Sequence, residues 1–505
     1  MYPYWKNMLA KLRGKQSFQF WHIFANFRPE KNLVLTSTSK KVIWLEVRKQ
    51  CVIAGPMVCT NLLQYSITIV SIIYVGHLGE LELSSASIAT SFASVTGYTL
   101  LLGMGSGLET LCGQAYGAHQ HESVGVYLQA AIFCMLLVCI PVAVLWFNME
   151  FLLLLMGQDH EISAMAGMYF GWLVPSLFGV AMLHPLLKFL QSQSVVLPMM
   201  LCSLFAFLFH IVLCYILIYT LDAGFIGAAL ATTISFWLNA ILLMLYIKFS
   251  VICKKTWRGL STETFSAVKP FMKLAIPSAF MICLEYWSFE LLVLLSGLLP
   301  NPKIELSVLS ICLNTAALTY MIPFGVSAAV STRVSNELGA GQPDVAKFSV
   351  KIGLGLSSIQ ALIIASTQLI LRNLWGNIFS SSDEVVDYVA KIMPLLAITS
   401  FMDGIQGVLS GVARGCGWQE YAAYANLGAF YCIGMPTAVI LAFVFHLNGW
   451  GLWLGLACGL FVQMSSLFIM TIRTDWAKQA DYAKGRLDNS SLKHLLITSA
   501  DPAEV

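Results

Sequence analysis

The sequence predicts an all-α integral membrane protein, with twelve transmembrane helices in two pseudo-symmetric six-helix bundles. Of its 505 residues, 58% are hydrophobic and only 11% are charged, which is too few charged residues to cover a soluble domain. Apolar stretches long enough to cross a bilayer, about 20 residues each, recur along the chain. Motifs of the first half also return in the second half. A soluble enzyme, a nucleic-acid-binding protein and a disordered protein are therefore disfavoured.

The first element is a basic segment, residues 1–50, with ten Lys or Arg residues and only two acids, Glu30 and Glu46. A nucleic-acid-binding patch would also be basic. Next to a first membrane span, however, this excess of positive charge is typical of a tail retained in the cytosol. We therefore expect a cytosolic tail and no nucleic-acid partner.

Twelve apolar stretches predict an N-terminal lobe, residues 51–250, and a C-terminal lobe, residues 270–472. A basic cytosolic linker, residues 251–269, joins the lobes, and a cytosolic tail, residues 473–505, follows them. Strands are disfavoured because the apolar runs are long and do not alternate with polar residues. The predicted spans are 51–75, 84–111, 124–147, 162–187, 195–220, 224–250, 270–298, 305–333, 347–371, 384–410, 421–446 and 449–472.

The charges of the loops predict the orientation of the helices. Loops after even-numbered spans contain Lys188, Arg333, Lys347 and Arg414, whereas loops after odd-numbered spans are mainly acidic. Because basic residues concentrate in cytosolic loops, both termini are expected in the cytosol. This orientation suits a multi-pass protein of either the vacuolar membrane or the plasma membrane.

An internal repeat relates the two lobes. The motif at Gly117, Gly-Ala-His-Gln, returns at Gly339 as Gly-Ala-Gly-Gln, 222 positions later. Matches at similar offsets place Gln64 opposite Glu285, His184 opposite Asp403 and Asn239 opposite Gln463. Since each copy has an even number of spans, the repeats are parallel, which is typical of transporters whose two lobes move about a central site. No Walker motif is present, so we expect an ion gradient or downhill flux to drive transport.

Two acids within apolar spans are candidates for proton binding. Glu285 lies in the seventh span and Asp403 in the tenth, and charged groups deep in a span are costly and commonly functional. Glu290 is a third, weaker candidate, because it lies about 140° around the helix from Glu285. The alternative for each is a structural carboxyl that is hydrogen-bonded to a neighbouring helix.

Other charged residues lie near the ends of spans. For Glu109 we expect capping or a contact with a loop. Lys188 and Arg333 have side chains long enough to extend to water from the membrane boundary. Two histidines within spans of the first lobe, His184 and His210, are expected to be structural.

Polar and aromatic residues of several spans are candidates for a substrate cavity that suits an aromatic or cationic compound. Helix packing is the alternative for the amides, and a lipid-facing position is the alternative for the aromatic residues. Thirteen scattered cysteines, without a CxxC motif or a Cys/His cluster, are expected to be buried apolar residues, so no metal or cofactor is predicted. The cavity candidates are Asn61, Gln64, Tyr65, Asn239, Tyr286, Trp287, Asn314 and Gln463.

Four motifs resemble those of multidrug and toxic compound extrusion (MATE) transporters, especially the plant detoxification branch. They begin at Gly105 (GSGLETLCGQAYGA), Cys283 (CLEYWSFE), Arg333 (RVSNELGAG) and Gly411 (GVARGCG). The resemblance implies a V-shaped pair of bundles that exports organic compounds in exchange for protons.

The resemblance also implies specific coupling residues. Similar proteins use acids at positions matching Glu285 and Asp403. Sodium-coupled relatives carry an acid in the first span, where this chain has Asn61 and Gln64, so proton coupling is favoured.

We therefore expect a monomeric membrane protein, not an enzyme, whose partners are protons, the lipid bilayer and a small organic substrate. Its predicted activity is proton-coupled antiport that exports xenobiotics or secondary metabolites from the cytosol by alternating access. A major-facilitator transporter is an alternative, but the loop after the second span has no basic residue other than histidine. A flippase of lipid-linked sugars is a second alternative. A membrane-bound transferase is a remote one, because the loops are short.

Overall fold

The computed structural model describes residues 40–380 and 382–498, with side chains up to residue 488. Within those residues, twelve helices are long and apolar enough to cross a membrane, which confirms the predicted fold class. From Glu46 onward the helices form one compact unit.

The first six spans are separated by short turns, except that the helix Met149–Leu155 precedes the fourth. Four π-helical stretches of the described residues are included in the spans. One lies in the second span, one in the fifth and two in the eleventh, of which Leu427–Gly434 is the longer. The bounds are α1 Lys40–Gly76, α2 Glu80–Gly117, α3 His121–Phe147, α4 His160–Ser192, α5 Val196–Thr220 and α6 Gly224–Phe249.

The central segment between the halves contains a short 3-10 turn, Ile252–Lys255. After the twelfth span a further helix, α13 Trp476–Thr498, packs against the bundle. The bounds of the second half are α7 Thr264–Ser296, α8 Pro302–Gly339, α9 Pro343–Ile378, α10 Asp383–Cys416, α11 Gln419–Val444 and α12 Asn448–Arg473.

Most helices extend a few residues beyond the predicted spans, and two elements differ more. Helix α1 begins at Lys40, eleven residues before the predicted start at 51, and α13 lies in a segment predicted only as a tail. Both extensions are polar helices, which a search for apolar stretches does not detect. The rest of the N-terminal segment, residues 1–39, lies outside the described residues.

We call the end of the bundle that carries residues 250–263 and α13 the basic face, and the opposite end the acidic face. Loops from both halves meet at the basic face around a cavity of about 1590 Å³. Its lining includes His121, Lys255, Lys273, Glu420 and Arg486.

The contact between the two halves at the basic face is symmetric. A Cβ atom on Gly117 of α2 would overlap the carbonyl oxygen of Asn336 in α8, and a Cβ atom on Gly339 would overlap that of Gln114. Gly117 and Gly339 are 222 positions apart, and so are Gln114 and Asn336. Each contact is thus the copy of the other when the halves are exchanged, as expected for parallel repeats around a common axis. Only glycine allows the backbones to approach this closely.

The apolar cores of the two halves differ. Buried residues of α1–α6 form one continuous cluster, which extends to residues of α7, α8 and α13 such as Phe271, Ala329 and Leu487. In the second half there are two clusters, one around Leu292, Leu396 and Leu460 and the other around Met281 and Val408. Polar side chains of α7, α10, α11 and α12 come together in this half and form a group that we call the polar layer: Glu285, Asp403, Gln406, Asn426 and Gln463.

Candidate functional site

Glu285 lies at the centre of the polar layer and is 8% exposed. Its Oε2 atom accepts hydrogen bonds from the amides of Gln463, at 3.0 Å, and Gln406, at 3.2 Å. A third amide, that of Asn426, lies 3.5 Å away. These donors come from α12, α10 and α11, so the carboxyl of α7 joins all four helices of the layer. Neutral donors can bond to a carboxylate and also remain satisfied beside a protonated carboxyl.

Asn426 is held in place by its own neighbours. Its amide donates to the carbonyl of Met281 at 2.7 Å, and its oxygen accepts from Gln463 at 2.8 Å. The π-helical stretch of α11 begins at the next residue, Leu427. Such stretches are uncommon and frequently occur at functional sites, because they change the direction of the side chains that follow.

Asp403 is the second carboxyl of the layer and lies within electrostatic range of Glu285. Its Oδ1 atom is buried and has no hydrogen-bond partner among the described residues. The amide of Gln360, on α9 near Gly404, is also buried without a partner. Buried polar atoms without partners are rare and require an explanation, such as a proton, a water molecule or a ligand that occupies the site during function.

No Lys or Arg side chain of the described residues lies within ion-pair distance of Glu285 or Asp403. Glu290, the third predicted carboxyl, is half-buried on another face of α7 and is not part of this cluster. The structure thus brings Glu285 and Asp403 together and leaves Glu290 apart.

The cavity candidates occupy different environments. Tyr65 of α1 and Tyr286 of α7 lie within electrostatic range of each other, although they belong to different halves. On α1, the amide nitrogens of Asn61 and Gln64 are buried without hydrogen-bond partners among the described residues. Asn314 is exposed.

The remaining candidates make defined hydrogen bonds. Trp287 donates to the carbonyl of Val95 at 3.1 Å, across the halves. Val95 lies in the π-helical stretch Ser94–Tyr98 of α2. Asn239 is fully buried and donates to Ser203 at 3.1 Å, within the first half.

Near the basic face, a group of three charged side chains connects the two halves. Glu109 of α2 accepts from Lys188 of α4 at 2.5 Å and from Arg414 of α10 at 3.0 Å. The three residues are 2%, 5% and 2% exposed. The expectations that Glu109 contacts a loop and that Lys188 extends to water are therefore wrong: both side chains lie inside the helix bundle, where they neutralise each other.

Glu46 forms a separate charged contact between α1 and the second half. Arg333 of α8 donates to both of its carboxylate oxygens, at 3.0 and 3.1 Å, and Ser349 of α9 donates at 2.6 Å. Arg333 also pairs with Glu337 at 2.6 Å. The expected extension of Arg333 to water is therefore also wrong. Glu46 lies in the part of α1 that precedes the predicted span, and the sequence pattern does not indicate that it belongs to a buried site.

The two histidines lie in the first half. His210 of α5 is fully buried, 3.1 Å from the hydroxyl of Ser71 and 2.9 Å from that of Ser235. These contacts connect α5 to α1 and α6, which agrees with a structural role. His184 of α4 is half-buried, next to Gly105 of α2.

The MatE family model matches residues 56–216 and 277–440 of the chain. The chain belongs to this family of MATE transporters. Protein DETOXIFICATION 16 from Arabidopsis thaliana is 50% identical over 446 residues, which cover 88% of this chain and 92% of the relative. Protein DETOXIFICATION 17 from the same plant is 48% identical over 448 residues, or 89% of this chain and 94% of the relative.

Solved structures agree with the sequence comparisons. The crystal structure of the eukaryotic MATE transporter AtDTX14 superposes with a TM-score of 0.86 at 47% identity, covering 88% of this chain and 99% of that one. The resemblance stated from the four motifs is confirmed. As a MATE transporter, the chain moves organic compounds across a membrane, and it is not an enzyme.

Proposed function

We propose that this MATE transporter is a proton-coupled antiporter that exports organic compounds, xenobiotics or secondary metabolites, from the cytosol by alternating access. The observation that carries the proposal is the environment of Glu285: a buried carboxyl with three amide neighbours and no cationic partner among the described residues. We assign proton binding to Glu285 and Asp403.

The contrast with Glu109 supports this assignment. Glu109 is equally buried, but two cations neutralise it, so it can remain ionised throughout the cycle. An ionised carboxyl that is buried without a cation is expensive. Glu285 and Asp403 must therefore be protonated, or be reached by water, for part of the cycle. A group that alternates between these conditions can bind a proton on one side of the membrane and release it on the other.

Competition between protons and substrate would couple the two fluxes. The polar layer lies in the second half, and Tyr65 of the first half lies within electrostatic range of Tyr286, the residue after Glu285. We propose that protonation of Glu285 and Asp403 shifts α7 and α10 and releases the substrate from the cavity between the halves. The unpartnered amides of Asn61 and Gln64 are candidates for contacts with the substrate.

We further propose that the basic face is cytosolic, with both termini in the cytosol, in a vacuolar or plasma membrane. The support is the excess of basic residues in the central segment, including Lys254, Lys255 and Arg258. In this orientation, transport from the basic face to the acidic face removes substrate from the cytosol.

The orientation is tested by a cysteine at Thr262, which is exposed. All native cysteines except Cys253 are replaced; Cys253 is buried, and burial raises the pKa of its thiol to about 11, so it stays unreactive near neutral pH. A membrane-impermeant maleimide should label Thr262→Cys only from the cytosolic side. Labelling from the other side would reverse the topology and the direction of transport.

The coupling is tested in proteoliposomes with an imposed pH gradient and a panel of fluorescent aromatic cations such as ethidium. Glu285→Gln should abolish accumulation, because an amide of nearly the same shape cannot bind the proton. Glu305→Gln is the matched control: Glu305 is a buried carboxyl of the same half that accepts from Tyr388 at 3.0 Å and lies outside the polar layer. Glu305→Gln should retain transport. Accumulation by Glu285→Gln under a pH gradient alone would refute the assignment.

A further inference from the structure

We propose that Glu109 and Arg414 form a gate: their ion pair holds the two halves together at the basic face and breaks when this face opens. The inference rests on the proposed alternating access, which requires each face to open in turn. The first observation is that the pair crosses the halves, because Glu109 lies on α2 and Arg414 on α10, with 3.0 Å between Oε2 and Nε.

The energetics suit a contact that must open and close. Removing two charges from water costs several kcal/mol per ion, and their attraction roughly repays this cost, so a buried ion pair adds little net stability. When the halves separate, water enters and solvates both charges. The closed and open forms can therefore have similar free energies, whereas a purely apolar contact of the same area would favour the closed form.

Neutral hydrogen bonds around the pair form a symmetric frame. Gln114 of α2 donates to the carbonyl of Gly415 at 3.2 Å, and Asn336 of α8 donates to that of Ser192 at 3.1 Å. The two donors are 222 positions apart and the two acceptors 223, so these bonds are copies of each other.

The ion pair has no such copy. The position that corresponds to Glu109 in the second half is Ser331, which carries no charge. Unlike the neutral bonds, the pair of Glu109 and Arg414 is therefore present on one side of the duplicated interface and absent at the repeat-related position. A separate ion pair, Glu46 of α1 with Arg333 of α8, also crosses the halves. A duplicated frame is sufficient for packing, so the added charge points to a role beyond packing.

The pair lies between the cavity at the basic face and the polar layer. Leu111 and Gly417, close in sequence to Glu109 and Arg414, line the cavity. On α10, residues at spacings of three and four lie on one face of the helix and connect the carboxyl site to the gate. These residues are Asp403, Gln406, Ser410 and Arg414.

Two observations support a connection between the polar layer and Arg414. Gln406, which donates to Glu285, also donates to Ser410 at 3.0 Å, one turn before Arg414. Arg414 lies within electrostatic range of Glu285 as well as in contact with Glu109. A movement of α10 at the polar layer therefore displaces Arg414.

The charges of Glu109, Lys188 and Arg414 allow a test of the gate with a matched pair of variants. One carboxylate, Glu109, is shared by two cations, Lys188 and Arg414, and both cations lie near the ring of Phe324, at 5.7 and 5.8 Å from its centroid. Removing either cation leaves a neutral pair, so neither variant leaves an unpaired buried charge. Only Arg414 connects the halves, whereas Lys188 and Glu109 both belong to the first half.

Opening is measured with a cysteine at Ser335 in the background used for Thr262→Cys. Ser335 of α8 is fully buried, and a Cβ atom on Gly113 of α2 would overlap it, so it lies directly in the interface between the halves. The full chain in vesicles is treated with the impermeant maleimide at the basic face, without substrate or a pH gradient. Thr262→Cys measures the fraction of molecules accessible from that side.

We expect Arg414→Gln to raise the labelling rate of Ser335→Cys at least tenfold and Lys188→Gln to change it less than threefold. With Arg414→Lys, which keeps the charge, the labelling rate should stay within threefold of the rate in the otherwise unmodified protein. This variant is the control that distinguishes loss of the charge from a general folding defect of Arg414→Gln. Equal rates for Arg414→Gln and Lys188→Gln, or for Arg414→Gln and Arg414→Lys, would overturn the gate. Because the assay needs neither protons nor substrate, it is independent of the proposed coupling by Glu285.

Discussion

Four buried carboxyls in this transporter show how the environment of a residue determines its role. Glu109 is bound by two cations, and Glu305 by a tyrosine hydroxyl and a backbone amide. Glu285 is bound by amides alone, and Asp403 has an oxygen without a partner among the described residues. Only the last two environments suit a group that changes its protonation during a cycle.

Asp403→Asn should change the pH dependence of substrate binding, because we propose that Asp403 binds a proton together with Glu285, which lies within electrostatic range of it. Binding of ethidium between about pH 5 and pH 8 should follow a shallower curve in the variant, since one proton fewer competes with the substrate. The same curve with only slower transport would leave Asp403 with a structural role and assign coupling to Glu285 alone.

Gln463→Leu should impair proton-driven transport at least tenfold, because Glu285 loses a donor whose bond to a charged group contributes about 1.5–3 kcal/mol. Asn239→Leu is the control at the repeat-related position; it removes a buried amide that contacts Ser203 instead. Transport rates under a pH gradient, normalised to the amount of folded protein, compare the two. An equal effect of both substitutions would show that general helix packing, not the carboxyl, is affected.

These residues also show what the sequence could and could not predict. Glu285 and Asp403 stand out because an acid within an apolar stretch is costly. Gln406 and Asn426 do not stand out, because a neutral amide is tolerated in many positions and its partner lies on another helix, 121 and 141 positions away in the chain. The sequence pattern places Lys188 and Arg414 at the ends of loops. Their position near the end of a span does not reveal that helices of the other half cover them.

At the scale of the elements, apolar length predicted the twelve spans but missed the polar extensions of α1 and α13. In α13, Arg486 donates to Gln114 of α2 at 2.9 Å and to the carbonyl of Cys416 of α10 at 2.8 Å. This helix therefore connects both halves at the basic face. An apolar stripe of α13, at Trp476, Ala480, Ala483 and Leu487, also packs against the apolar core. The helix as a whole is too polar for a search for membrane spans to detect it.

Arg486→Ala should lower the melting temperature of the purified protein by several degrees, because two hydrogen bonds from a charged donor are lost, each contributing about 1.5–3 kcal/mol. Lys484→Ala, on the same helix but exposed, should leave the melting temperature unchanged. Thermal unfolding followed by intrinsic tryptophan fluorescence makes the comparison. Equal melting temperatures for the two variants would mean that α13 does not stabilise the bundle.

At the scale of the whole molecule, the duplication provides a symmetric frame and the charges break its symmetry. The glycine contacts of α2 and α8 are copied between the halves, whereas the polar layer and the pair of Glu109 with Arg414 are not. The repeat was visible in the sequence because its motifs keep their order and spacing. The position of the acids in the sequence predicts which half carries the carboxyl site, but the link between that site and the interface is visible only in the packing of α10.

This link predicts that the carboxyl site controls the interface at a distance. Arg414 forms no ion pair with Glu285 but lies within electrostatic range of it. On the proposed gate, an ionised Glu285 therefore favours the closed arrangement of α10 over the open one. Glu285→Gln, which resembles the protonated form, removes this charge and should raise the labelling rate of Ser335→Cys from the basic face about threefold to tenfold. Glu305→Gln should leave the rate unchanged, since Glu305 contacts Tyr388 and Gly449 instead. If the labelling rate is unchanged in Glu285→Gln but increases as expected in Arg414→Gln, the gate does not respond to Glu285. Coupling between the carboxyl site and the interface would then need a different explanation.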